Sequence, residues 1–217
     1  MENNLSLQQQ AEEIGKRLAL LYPGNARDLC ALHFENEFEL LAATILSAQC
    51  TDERVNMVTE VLFSTYNTPK ELACADPEAV EEIVRPTGFY REKAKNLINM
   101  SSVLVENYGG NVPNKMEDLV RLPGVGRKTA NVVLSVAFGL PGLPVDTHVK
   151  RLSKRLGLTK SEDPVVIEQE LNELIPLQER GSFSLCLILH GRKVCQARKP
   201  RCAACDLADI CPSVLSA

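Results

Sequence analysis

The sequence predicts an all-α protein, and three observations carry that reading. Apolar residues recur at three- and four-residue spacings along most of the chain. Period-two alternation and β-branched clusters of strand length are scarce. Helix-start and helix-stop residues recur at short intervals, and neither a fixed-period repeat nor a low-complexity tract interrupts them.

Taken in order, the polar, mixed-charge stretch "MENNLSLQQQAEEIGKRLAL" supplies a first helix, and "YPGNARD" a break after it. Helices fit "FELLAATILSAQ" and "ERVNMVTEVLFSTY". Asp76-Pro77 provides an N-cap and a first-turn proline for "PEAVEEIVR". The helix in "REKAKNLINMSSVLVENY" stops at Gly109-Gly110. "KMEDLVRL" and "RKTANVVLSVAF" are two further helices, joined by the turn L-P-G-V-G. "THVKRLSKRLG" ends on Gly157, Asp163-Pro164 opens "PVVIEQELNELI", and "SFSLCLILHGRK" is the last long helix. The Gly- and Pro-rich "FGLPGLPVD" marks the main boundary. It separates a domain of residues 30–140 from a second one formed by residues 141–217 together with 1–29.

Composition narrows the function. With 217 residues the chain is long enough to bury roughly 70% of its unfolded surface without staples. It carries no secretory signal and no apolar run approaching the roughly 20 residues of a membrane span, so the expected setting is cytoplasmic, without membrane attachment. The net charge of -4 hides a partition: Arg121 to Arg155 holds seven basic residues against the single acid Asp146, and Gly191 to Arg201 holds five basic residues and no acid. Two basic segments on an acidic background suit a localised anionic partner.

Cysteines in a reducing compartment favour metals over disulfides. Cys30, Cys50, Cys74 and Cys186 are isolated and read as small hydrophobes. Cys195, Cys202, Cys205 and Cys211 form C-x6-C-x2-C-x5-C, four sulfurs without a nearby histidine. Tetrahedral zinc and an iron–sulfur cluster both suit such a set, and neither common zinc pairing is present. Arg198, Lys199 and Arg201 lie between the first two cysteines, on a basic hairpin aimed at phosphate.

In "LPGVGRKTANVVL", Gly124 and Gly126 permit positive φ and leave the backbone unobstructed, so amides at the start of the next helix could hold a phosphate. An ordinary αα-hairpin fits the same residues. A nucleotide phosphate loop does not, because Arg127 separates Gly126 from Lys128 and no strand precedes. Lys128 is the sharper signal. A helix N-terminus disfavours a cation by a few tenths to about 1 kcal/mol, which helps a nucleophile that must act as the neutral amine. The alternative is a surface lysine touching phosphate. Asp146 occupies the N-cap position of "THVKRLSKRLG", and its carboxylate could also take a proton or face developing positive charge. His148 fits a structural or phosphate-contacting role, and His33 and His190 have no partner visible in sequence.

Together, "LPGVGRKTA", "VDTHVKRL" and the cysteine pattern, with "LSAQCTD" and "TGFYREKAKNL", resemble the endonuclease III family of DNA glycosylases over most of the chain. The resemblance implies a two-lobed helix-hairpin-helix glycosylase fold: a six-helix barrel and a lobe holding a [4Fe-4S] cluster on Cys195, Cys202, Cys205 and Cys211, with DNA in the cleft. It implies Lys128 as nucleophile and Asp146 as catalytic carboxylate. Gln49 would fill the gap left by the extruded nucleotide, and Phe89 would wedge the opposite strand. Gly124, Val125, Gly126, Arg127, Thr147, His148, Arg198, Lys199 and Arg201 would contact the DNA. The implied activity is excision of oxidised pyrimidines from damaged double-stranded DNA, followed by β-elimination 3' to the abasic site, by a monomer associated with the nucleoid if bacterial. Mismatch glycosylases of similar layout generally lack a lysine at the position of Lys128. A pyrimidine-dimer glycosylase and a non-enzymatic helix-hairpin-helix module are the remaining alternatives.

Overall fold

The computed structural model describes residues 6–214, which contain helices and no β-strand. Backbone contacts divide the chain into two compact units: Cys30–Phe138, and a unit that takes the chain up to Leu29 and again from Gly139 onward. None of the described helices is long and apolar enough to cross a membrane.

In the discontinuous unit, α1 (Leu7–Leu21) begins at a reciprocal capping box between Ser6 and Gln9. Ala11, Ile14 and Leu18, spaced three and four residues apart, are fully buried on one face of it. They join Val149 and Leu152 of α9 (Thr147–Arg155), Ile167 and Leu171 of α10 (Pro164–Leu174), and Leu187 of α11 (Arg180–Lys193) in one core. Burial of Ile14 or Leu18 contributes roughly 1.5–3 kcal/mol each, so α1 is integral to this core. Asp163 accepts the amides of Val165 and Val166, which starts α10 as its sequence requires.

The other unit is built around α2 (Glu37–Leu46), in which every residue from Phe38 to Leu46 is buried. Its sequence is apolar on all sides, the pattern of a helix enclosed by others. Its neighbours include α3 (Asp52–Thr65) and α6 (Tyr90–Tyr108), and α6 also packs on α4 (Pro69–Ala73) and α5 (Pro77–Val84). Gly109, at φ +60°, terminates α6, and the amide of Gly110 returns to the Leu104 carbonyl at 2.9 Å. Two short helices, α7 (Met116–Leu119) and α8 (Arg127–Val132), complete the unit.

Several local expectations need correction. The helix expected over "FELLAATILSAQ" ends at Leu46, because Gln49 takes a left-handed backbone at φ +55° that a helix cannot accommodate. The helix expected over "RKTANVVLSVAF" is α-helical only to Val132 and continues as a π-helical turn, Val133–Ala137. Of the four isolated cysteines, only Cys186 is buried, with its thiol pushed up to about 11 by burial; Cys30 and Cys50 are half-buried and Cys74 is exposed.

Candidate functional site

The unit Cys30–Phe138 carries the hairpin and the nucleophile candidate. Leu119 and Leu122 anchor the turn in the core, and the amide of Val125 closes it on the Leu122 carbonyl at 3.1 Å. Gly124 has φ +76°, and a Cβ there would stand 3.0 Å from Cβ of Asn96 on α6, so both backbone and space demand glycine. Gly126 is the N-cap of α8 and offers no side-chain cap, so the first amides of α8 face outward without intrahelical acceptors. Arg127 and Lys128 are the first two helical residues, and both are exposed. The Lys128 ammonium has no hydrogen-bond or ion-pair partner among the described residues. The π-helical turn beyond, with Val133 to Val136 buried, fixes the distal end of this helix in the core.

The same unit presents Gln49 and Phe89. Among the described residues they are the only non-glycine positions with positive φ, at +55° and +50°. Each conformation costs of order 1–2 kcal/mol for an L-residue. Gln49 is exposed beyond the end of α2, and Phe89 is 70% exposed as the N-cap residue of α6. An exposed phenylalanine on a strained backbone gains nothing from the core of the free protein, which suits a side chain waiting for a partner.

In the discontinuous unit, Asp146 starts α9. Its Oδ1 accepts the amides of His148 and Val149, each at 2.8 Å, while Oδ2 has no partner among the described residues. Asp146 is half-buried, so one carboxylate oxygen caps the helix and the other is left for chemistry. Thr147 is exposed beside it. The His148 ring meets the Arg151 guanidinium, Nδ1 to Nη2 at 3.1 Å. Burial holds His148 below the usual histidine range against the opposing pull of Asp146. Gly191 makes this packing possible, since a Cβ there would fall 2.7 Å from His148 Nδ1.

The four C-terminal cysteines share one cavity of ≈ 250 Å³, which Leu152, Leu156 and Leu207 also line. All four thiols are free of disulfides. Four cysteines lining one apolar volume supply a thiolate donor set that fits an iron–sulfur group. Arginines hold the surrounding loop. Arg155 donates to Cys195 Sγ at 3.3 Å and to the carbonyls of Gln196 and Ala197, both at 2.8 Å. Arg151 donates to the carbonyls of Gly191 and Cys195, both at 3.1 Å.

Within that loop Arg198 and Lys199 are exposed without a partner among the described residues, whereas the Arg201 guanidinium turns back onto the Lys193 carbonyl. His190, which sequence left without a partner, is buried between the Tyr22 hydroxyl, 3.2 Å from Nδ1, and Cys205 Sγ, 3.3 Å from Nε2. Sequence reasoning also overlooked Lys93, a lysine only 5% exposed whose ammonium donates to the carbonyls of Leu46 and Thr87, each at 2.8 Å.

Comparison with known proteins places these features in a family. Residues 42–177 match the HhH-GPD superfamily base excision DNA repair protein family. The chain is 54% identical to endonuclease III of Synechocystis sp., over 96% of this chain and 94% of the relative, and 47% identical to that of Bacillus subtilis over 84% of each. Among solved structures it resembles a non-covalent endonuclease III–DNA complex and a trapped endonuclease III–DNA covalent intermediate. Both have a TM-score of 0.89 at 42% identity, covering 96% of this chain and 96% and 97% of theirs. A thermostable thymine-DNA glycosylase, 22% identical at TM-score 0.84, shares the fold.

Proposed function

The chain belongs to the endonuclease III family, within the HhH-GPD superfamily of base excision DNA repair proteins, and from that membership we propose how its own residues perform glycosylase and lyase chemistry. The protein is a bifunctional DNA glycosylase and abasic-site lyase of base excision repair. Its substrate is double-stranded DNA bearing an oxidised pyrimidine. The flipped nucleotide leaves the stack at a cost of a few kcal/mol, which damage lowers.

Lys128 is the nucleophile. Its neutral amine attacks C1' of the sugar, the bond from C1' to the base breaks, and the base departs with the electron pair and takes up a proton. Ring opening gives an imine between Lys128 and C1'. Loss of a C2' proton then expels the 3' phosphate by β-elimination, and water hydrolyses the imine to free the lysine. Asp146, through the oxygen not engaged in capping, takes the amine proton and faces the positive charge that develops on the sugar. Backbone amides at Gly124, Val125, Gly126 and Arg127 hold a phosphate without reading sequence. Gln49 and Phe89 occupy the space of the extruded nucleotide, and Thr147, His148, Arg198, Lys199 and Arg201 bear on the backbone. Cys195, Cys202, Cys205 and Cys211 would hold a [4Fe-4S] cluster whose contribution is to fix the basic loop between them. The working place is the cytoplasm, on the nucleoid in a bacterium.

The observation that carries this reading is the exposed, unpartnered Lys128 at the hairpin, in a chain 42% identical to a protein trapped covalently on DNA. The test is incubation with a duplex containing one thymine glycol or abasic site in the presence of borohydride. A covalent adduct is expected with the wild type and none with Lys128→Ala; a wild type that forms no adduct overturns the assignment.

A further inference from the structure

Lys93 lies at the fourth position of α6, at the end of a helix that disfavours cations, and it is buried with no counter-ion contact among the described residues. Burial moves its ammonium down from the usual lysine range. What keeps the cation there is the opposite end of another helix: one of its acceptors is the carbonyl of Leu46, the last residue of α2, where backbone carbonyls lack intrahelical donors. Its other acceptor is the carbonyl of Thr87, just before Gly88 and Phe89.

These two carbonyls lie three residues before Gln49 and two before Phe89, the two left-handed residues. Local backbone bonds bracket both residues, Cys50 amide to Ser47 carbonyl and Lys93 amide to Phe89 carbonyl, each at 3.1 Å, but neither side chain adds support: Phe89 makes no side-chain cap, and both side chains are exposed. A strained backbone persists where its surroundings over-determine it. Through two hydrogen bonds the shared ammonium joins both segments, 47 residues apart for Leu46 and Lys93, and attaches them to α6.

We propose that Lys93 is a positioning residue that clamps the Leu46 and Thr87 carbonyls together and thereby sets the register in which Gln49 and Phe89 enter a duplex. The inference rests on the DNA-wedging role assigned above to Gln49 and Phe89. It predicts a defect confined to substrates that must be unstacked, because the ammonium does not touch the reacting sugar.

The experiment compares borohydride trapping on a duplex abasic site and on a single-stranded abasic oligonucleotide for the wild type, Lys93→Met, Gln49→Ala and Phe89→Ala. Misplacement of about 1 Å can cost on the order of 10²-fold, so Lys93→Met is expected to lower the duplex rate by about tenfold or more, with single-strand trapping within about twofold of wild type. Combining Lys93→Met with the two wedge substitutions should lower the duplex rate little further. Normal duplex trapping by Lys93→Met, with impaired Gln49→Ala and Phe89→Ala, overturns the clamp and leaves the wedges standing. Normal duplex trapping by both wedge variants overturns the wedge reading itself. Equal loss on both substrates shows a general structural role and overturns the proposal. If Lys93→Met does not fold, hydrogen exchange of the wild type decides: amides 47–50 and 88–90 should slow together relative to the exposed turn 110–114, and fast, independent exchange of the two segments overturns the clamp.

Discussion

The Arg151 guanidinium stands beside the His148 ring, Nη2 to Nδ1 at 3.1 Å, two residues from the candidate catalytic carboxylate. Burial lowers the His148 pKa from its ordinary 6.5. The unfolded chain therefore takes up a proton near 6.5 while the folded chain does not, and stability falls as the pH drops from there toward the lower folded value. Urea unfolding at about pH 7.5 and pH 5.5 should show the acid loss, and His148→Gln should shrink it. Buried His190 acts in the same direction, so the loss will be reduced rather than abolished.

Asp146 caps α9, and substitution can separate that role from the catalytic one proposed for it. Asn caps a helix about as well as Asp, so Asp146→Asn should leave stability within about 0.5 kcal/mol while slowing base excision by roughly 10²- to 10⁴-fold. Asp146→Ala should lose activity to a similar extent and about 1 kcal/mol of stability as well, because the amides of His148 and Val149 lose their acceptor. Single-turnover excision and thermal unfolding measure the two effects independently. If Asp146→Asn excised at the wild-type rate, the carboxylate would be only a cap.

At Gly124, alanine would meet both a φ of +76° and Cβ of Asn96 at 3.0 Å. Gly124→Ala should destabilise by about 1–3 kcal/mol and weaken DNA binding by displacing the hairpin amides. Gly126, where a Cβ meets nothing within 4 Å and φ is negative, provides the control. Gly126→Ala should keep the fold, losing on the order of 1 kcal/mol at the N-cap.

If the four cysteines hold one cluster as proposed, loss of one should remove the iron entirely rather than reduce it by a quarter. Cys202→Ala is expected to purify with little iron and acid-labile sulfide, and with accelerated hydrogen exchange in residues 190–211. A variant that retains four irons per chain would show that Cys202 is not a ligand.

What sequence could reveal followed the range of the interactions involved. The caps at Asp146 and Asp163, the stop at Gly109 and the hairpin at Gly124 act within a few residues, and each could be read locally. The capping box of α4, between Thr68 and Glu71, was equally local but sits on a five-residue helix too short to show a period. Lys93 was hidden among other lysines because its acceptors are backbone carbonyls, which carry no residue identity. The left-handed backbones of Gln49 and Phe89 were invisible because neither residue type advertises positive φ. His190 needed the chain to bring Tyr22 beside it before its surroundings could be stated.

The discontinuous core has a consequence during synthesis. At about 5–20 residues per second, α1 leaves the ribosome on the order of ten seconds before α9, α10 and α11 exist to cover Ala11, Ile14 and Leu18. The whole of Cys30–Phe138 emerges in that interval, with its own contacts complete. The nascent chain thus carries the apolar stripe of Ala11, Ile14 and Leu18 uncovered until the last helices are translated.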